Sequence, residues 1–261
     1  MIESINKKLI ELGLKHRIKI IFAVESGSRS WNMSSANSDY DVRFVFYHPL
    51  ESYISISTPA DVIVTGRVEG TELEFEGFDI FKFSKMLHSS NPSVIEWLRS
   101  KIVYYGIIPE EWKRYAEESF NPISLFFHYK SMCKQNYLKY LKTGSMVTYK
   151  KYLYAMRGLV NAGWVASSAQ KGVPELPPID FQETVTNAVF LPESVRKKLM
   201  QIIMLKKDGR EEDLQERIPG IDSYIENVLK DDSDAPKSHP VRTTTDLDAV
   251  LRIFVMNGVR G

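Results

Sequence analysis

Apolar residues at Ile2, Ile5, Leu9, Ile10 and Leu14 recur with the spacing of one helical face, with Glu and Lys elsewhere, so the chain opens on an amphipathic helix. The period then changes. Residues 17–24 hold a near-continuous apolar run, Ile18 and Ile20 to Val24, which suits a strand covered on both faces. A turn follows at Ser26-Gly27-Ser28, where a short helix capped by Ser26 or Ser28 can begin. Residues 34–38 read as loop, and residues 40–47 as a second strand that Pro49 ends. Weaker strands are expected over 52–56 and 62–65. Residues 72–80 alternate, with Leu73 and Phe75 on one side and Glu72, Glu74 and Glu76 on the other.

From Lys82 onward helical spacing dominates. Helices are expected over 82–88, from Pro92 with Asn91 as its cap, and over 124–142 and 149–167, parted by Gly144. Further helices are expected over 192–205, over 213–229 with a break at Pro219-Gly220, and over 244–255. Pro174, Pro177 and Pro178 mark a loop, and residues 231–240 a polar linker. The reading is an α/β (α+β) chain with a small sheet-bearing core over 1–110 and a helical domain over 111–261.

Two strand positions carry candidate chemistry. Asp39 and Asp41 lie two apart, so their carboxylates project to one side and repel each other unless a cation sits between them. Hard oxygen donors suit Mg²⁺ or Mn²⁺. Gly27 lets the backbone approach a phosphate, Ser28 offers a hydroxyl, and the Arg29 fork matches phosphate oxygens. Together these parts suggest metal-assisted chemistry on a nucleoside triphosphate. Asp79 shares the parity of Leu73 and Phe75, and a core-facing carboxylate needs a partner. A metal shared with Asp39 and Asp41 would supply one, and a surface position at the strand end is the alternative. Arg43 has the parity of the aspartates and either orients them or lies exposed. Lys150, Tyr154 and Arg157 fall at i, i+4 and i+7 on one helical face, an arrangement suited to triphosphate and base contacts. Alternatively Tyr154 packs in the core and the cations are solvated.

The ordered set Glu25-Ser26-Gly27-Ser28-Arg29-Ser30-Trp31, Ser38-Asp39-Tyr40-Asp41-Val42-Arg43-Phe44, Gly77-Phe78-Asp79-Ile80 and Asn91-Pro92-Ser93-Val94-Ile95-Glu96-Trp97-Leu98 resembles the DNA polymerase β-like nucleotidyltransferase superfamily. Within it the set is similar to a branch of bacteria and phages, some members of which are associated with RNA ligases and RNA repair. The resemblance implies a mixed-sheet nucleotidyltransferase core and transfer of a nucleoside monophosphate from an NTP to an acceptor, with an RNA end foremost. It implies that Asp39 and Asp41 bind two metals, that Asp79 completes the nucleophile-side metal, and that Gly27, Ser28, Arg29, Lys150 and Arg157 contact the nucleotide. Protein or small-molecule nucleotidylation, as in toxin–antitoxin systems, and nucleotide or RNA binding without turnover stay open. The family more often has glycine where this chain has Asn32, and Asn is the next most tolerant residue of positive φ.

Composition adds a charge asymmetry. The net charge is only +1, yet residues 113–172 hold 10 Lys and Arg against 2 Asp and Glu, between two mildly acidic segments. This suits an anionic partner such as RNA or nucleotide phosphate. Cys133 is the only cysteine and reads as a small buried residue, so no intrachain disulfide forms and a reducing compartment fits. His16, His48, His88, His128 and His239 lack metal-ligand spacing. No apolar run is long enough to span a membrane and the N-terminus does not read as a signal peptide, so a soluble cytoplasmic protein is expected.

Overall fold

The computed structural model describes residues 1–238 and 243–257; His239 and the end of the expected linker at Pro240 lie outside the described residues. Two compact units divide the chain, and they interleave in sequence. The first takes Met1–Ser30, Asp39–Phe120 and the C-terminal helix. The second takes Trp31–Ser38 and the chain from Asn121.

In the first unit, α1 (Ile2–His16) and β1 (Lys19–Ser26) are followed by the short α2 (Gly27–Ser30), β2 (Tyr40–Tyr47), the short α3 (Leu50–Tyr53), β3 (Val62–Arg67) and β4 (Leu73–Asp79). Then come α4 (Ile80–His88), α5 (Pro92–Leu98), β5 (Val103–Gly106) and α6 (Glu110–Glu118). The five strands form one mixed sheet in the order β3-β4-β2-β1-β5. β2 runs parallel to β4, and the other neighbours are antiparallel. Ile5, Leu9 and Leu12 of α1 bury against Val42, Phe44, Phe46 and Phe75 on one face. Phe22 meets Phe83 and Trp112 on the other, and Trp97 stacks on Phe78 at 4.7 Å. Trp97 is therefore a packing residue. Gly77 is small because the Phe44 ring occupies its side-chain space: a Cβ there would stand 2.3 Å from the ring.

The strand expected over 52–56 is not formed. Pro49 instead precedes the single turn α3, and Tyr53 packs its ring on Phe81 at 4.8 Å. That contact outweighs the local β pattern. β5, within the stretch expected to be helical, forms because the exposed sheet edge beside β1 offers it backbone partners.

The second unit is built on α7 (Pro122–Asn136), continued by a π turn (Tyr137–Leu141), and on α8 (Tyr149–Gln170), which packs closely along it. Gly158 makes the approach possible, since a Cβ there would lie 2.6 Å from the Tyr129 carbonyl oxygen. α9 (Phe181–Asn187), α10 (Glu193–Lys207) and α11 (Pro219–Lys230) complete a core around Tyr152, Met156 and Leu199. β6 (Met146–Thr148) pairs with β7 (Leu214–Glu216), so the start of the expected 213–229 helix is a strand, and the helix begins at Pro219 where the break was expected. Asn32 has φ 55°, and its amide donates to Asp180 at 2.7 Å. Cys133 is buried, which pushes its thiol up to about 12. The last helix, α12 (Thr245–Asn257), belongs to the first unit, where Phe254 stacks on Trp112. No helix of the described residues is long and apolar enough to cross a membrane.

Gly77→Ala is expected to destabilise the protein by about 1–3 kcal/mol through overpacking against Phe44. Urea unfolding should show a lower midpoint with an unchanged slope; an unchanged midpoint would mean the ring has room to move.

Candidate active site

The site is assembled where β1 ends and β2 begins. In the antiparallel ladder Ser26 stands opposite Asp41, so the chain leaves β1 directly beside that carboxylate. Gly27 makes this turn at φ 64°, and a Cβ on it would stand 2.0 Å from Asp41 Oδ2. The close backbone approach expected of Gly27 is therefore seen first toward an aspartate of its own chain. α2 then carries Ser28, which is buried, and Arg29. Arg29 Nε donates to the Asp39 carbonyl at 3.1 Å, and its guanidinium lies 3.7 Å from the centre of the Tyr40 ring.

β4 lies beside β2 and places Glu74 opposite Asp41 and Glu76 opposite Arg43. Arg43 draws these together. Its Nη2 donates to Asp41 Oδ1 at 3.1 Å and to Glu74 Oε1 at 3.3 Å, and its Nε lies 3.4 Å from Glu76 Oε2. Arg67 of β3 pairs with Asp39 and with Glu72, the latter at 3.0 Å. Arg43 thus orients Asp41 and is no exposed strand-edge charge; its side chain is 14% exposed. The oxygens of Asp39 and Asp41 fit a hard divalent cation in kind. The absence of a Cβ at Gly27 makes room for Asp41 Oδ2, and the two aspartates are 42% and 27% exposed, so a cation can reach them. Among the described residues no three His, Cys, Asp or Glu side chains converge closely enough to hold a metal by themselves.

Asp79 does not join this group. The register sets it opposite Phe46, five residues along β2 from Asp41, or roughly 17 Å at ~3.3 Å per residue. It is core-facing, as its parity implies, but its partners are protein groups. It accepts from the Tyr53 hydroxyl at 2.6 Å and caps α4 by accepting from the Phe81 N–H at 2.9 Å. Burial raises its carboxyl above the usual range.

Glu25 is the residue whose role the pattern leaves blank. It is fully buried on β1. Its Oε1 accepts the Asp41 backbone N–H at 3.0 Å, and its Oε2 accepts the Tyr104 hydroxyl. Burial pushes its carboxyl up to about 7 despite both bonds. A single Glu inside an apolar strand was the available signal.

Lys150 and Arg157 belong to the second unit. Tyr154 and Arg157 meet one partner, since Tyr154 lies edge-on to Trp31 at 6.2 Å and Arg157 lies 3.6 Å over the same ring. Arg157 is 5% exposed, and Lys150 pairs with Glu212 at 2.9 Å. The face has structural partners within its own unit.

A Gly-Ser turn and an Asp-x-Asp at the ends of two neighbouring central strands of a mixed sheet are the parts of a polymerase β-like nucleotidyltransferase. The family model for the RNA repair pathway DNA polymerase beta family matches residues 1–255, and the chain belongs to that family. An uncharacterized protein, YcgL, of Bacillus subtilis (strain 168) is 33% identical over 99% of this chain and 96% of its own length. The crystal structure of a nucleotidyltransferase-like protein from Exiguobacterium sibiricum 255-15 aligns over 99% of this chain and 92% of that one. Its identity is 11% and its TM-score 0.31, a likeness too distant to bear on the site. Family membership points to nucleotidyl transfer with a nucleotide substrate, and such enzymes typically use divalent metals.

Glu25 gives the metal-free protein a pH signature. Burial holds its folded pKa above the ordinary glutamate value of 4.5, so the folded state holds this proton more tightly than the unfolded chain. Its contribution is full below about 4.5 and is lost as pH rises through about 7. The total is on the order of 3 kcal/mol. In chelator, Glu25→Gln should flatten the fall of Tm across that window; an equally steep fall in the variant would assign the slope to other groups.

Proposed function

We propose that the protein transfers a nucleoside monophosphate from a nucleoside triphosphate to an RNA end and releases pyrophosphate. The observation that carries this reading is the Asp41 carboxylate, two residues after Asp39, held between the bare Gly27 α-carbon and Arg43. Mg²⁺ or Mn²⁺ would be held by Asp39 and Asp41, with water and the triphosphate itself completing its coordination. When bound, a divalent cation neutralises charge at the α-phosphate and favours the ionised acceptor hydroxyl. Ser28 and the backbone of the Gly27 turn face the triphosphate. Arg29 pairs with its terminal phosphates from a position preset by Tyr40 and the Asp39 carbonyl. Arg43 holds Asp41 in orientation, and Glu25 holds its backbone. The RNA acceptor is supported by the family's description and by the basic segment over 113–172. A reducing, cytoplasmic setting suits the single buried cysteine.

The test is incubation with each α-labelled NTP, Mg²⁺ or Mn²⁺, and a pool of small RNAs. Label should move to RNA with the wild-type protein. Asp41→Ala should lose about a thousandfold, equivalent to about 4 kcal/mol of barrier. Asp79→Asn should keep turnover within a few-fold while lowering Tm, because it touches only Tyr53 and the α4 cap. Label on the protein itself would replace RNA with a protein acceptor. NTP binding without pyrophosphate release would replace catalysis with binding.

A further inference from the structure

A bulge in β3 aims one arginine at the Asp39–Asp41 site. Val64 pairs with Glu76, but Gly66, not Thr65, pairs with Phe75, so Thr65 is an extra residue in the strand. Gly66 makes the bend at φ 61°. The bulge has its own hydrogen bonds: Thr65 Oγ1 accepts the Phe75 N–H at 3.3 Å and donates to the Gly66 carbonyl at 2.8 Å. In an unbroken ladder Arg67 would stand opposite Leu73, which is buried in the core under α1. The extra residue sets it opposite Glu74 instead. Glu74 stands opposite Asp41, and Asp41 opposite Ser26. One row of side chains therefore crosses four strands on the Asp41 face, with Arg67 at its end.

The contacts Arg67 makes there are loose ones. Its Nη2 donates to Asp39 Oδ1 and lies 3.0 Å from Glu72 Oε2, while Nη1 and Nε have no partner among the described residues. Arg67 is 58% exposed, against 14% for Arg43. An exposed pair of this kind adds little stability and is exchanged easily for another partner. A bulge that re-aims an arginine onto such weak contacts is not explained by the fold alone.

We propose that Arg67 is a further nucleotide-contacting residue: it neutralises Asp39 while the cation is absent, and turns its fork to the triphosphate when cation and nucleotide bind. A divalent cation at Asp39 repels the guanidinium from the oxygen they would share. Glu72 keeps Arg67 beside the site, and the unused Nε and Nη1 edge matches two phosphate oxygens. The assignment rests on the transfer reading above for the identity of the ligand, and it is measured by binding, without turnover.

The experiment uses the full chain with no RNA and no NTP. Mn²⁺ alone is titrated by the loss of its free-ion EPR signal. Inorganic triphosphate, which carries no base, is then titrated by calorimetry in excess Mn²⁺. Arg67→Gln should bind Mn²⁺ about two- to fivefold more tightly, the range of one exposed ion pair removed. The same variant should bind triphosphate about tenfold or more weakly, as for lost hydrogen bonds to a charged partner. Arg67→Lys, which keeps the charge without the fork, should restore the wild-type Mn²⁺ affinity and only part of the triphosphate affinity. Opposite shifts from one substitution are the signature, since a structural role would move both affinities together. Parallel shifts, no shift, or a shift in Mn²⁺ affinity alone overturn the proposal. Asp39→Asn separates this from the cation reading: if the wild-type protein binds no Mn²⁺, or Asp39→Asn binds it equally well, that reading fails and the role of Arg67 fails with it. Mn²⁺ binding that needs Asp39 but ignores Arg67 sinks the role of Arg67 and leaves the cation site standing.

Discussion

The contact between Gly27 and the Asp41 carboxylate is the constraint on which the rest of the site depends. Any side chain at position 27 would occupy the place of Asp41 Oδ2, and the φ of 64° excludes most side chains in any case. The end of β1 and the start of β2 are therefore locked at one distance. α2 must begin at that point, and with it Ser28 and Arg29 acquire their positions. The Glu25 bond to the Asp41 amide adds a second hold two residues before the turn. The turn at Gly27 and the start of β2 are thus one rigid object, and preorganisation of that kind is what phosphate chemistry requires.

The electrostatics follow from that crowding. Asp39, Asp41, Glu72, Glu74 and Glu76 share one region with Arg43 and Arg67, while the Arg29 side chain serves the Asp39 backbone. Arg43 touches three of the carboxylates and is largely withdrawn from water, so its attraction is screened far less than that of an exposed surface pair. Its remaining Nη1 is buried without a partner, so its own donors are not all met. Arrays of carboxylates with too little positive charge are stable only in part by themselves, and they are hospitable to a further cation for the same reason. Glu25 meets the same shortage differently. Buried under the ladder and hydrogen-bonded to the neutral Tyr104 hydroxyl and Asp41 amide, it rises toward neutrality instead of adding another negative charge.

Much of this was legible along the chain, and the limits have a common cause. β2 lies over residues 40–47 as its alternation and Pro49 imply, and the parity that sets Asp41 with Arg43, and Asp79 with Leu73, holds. Parity gives the face of a side chain and says nothing of its distance along the strand. That distance comes from the β2–β4 register, a long-range pairing that put Glu74, not Asp79, beside Asp41. β5, β6 and β7 are four, three and three residues long, too short for a periodic signal, and exist because a neighbouring edge completes their hydrogen bonds. The return of α12 to the first unit rests on the Phe254 contacts with Trp112 and Tyr47, which no local pattern announces.

The basic middle segment shows how segment charge differs from surface charge. Lys130 is buried and spends its ammonium on the carbonyls of Val228 and Asp231 and on Asp232, closing the C-terminal end of α11. Arg157 lies on Trp31 and Lys150 on Glu212, so three of the cations that make the sum large are fold-holding groups. What remains for an anionic partner is narrower and more local. Lys139 and Lys151 flank Tyr140 at 4.9 and 3.7 Å, and Lys134, Lys142 and Lys171 stand exposed. Residues 121–172 contain no acidic residue of their own to offset these exposed cations. The segment's claim on a polyanion therefore rests less on its total than on the absence of carboxylates between these exposed lysines.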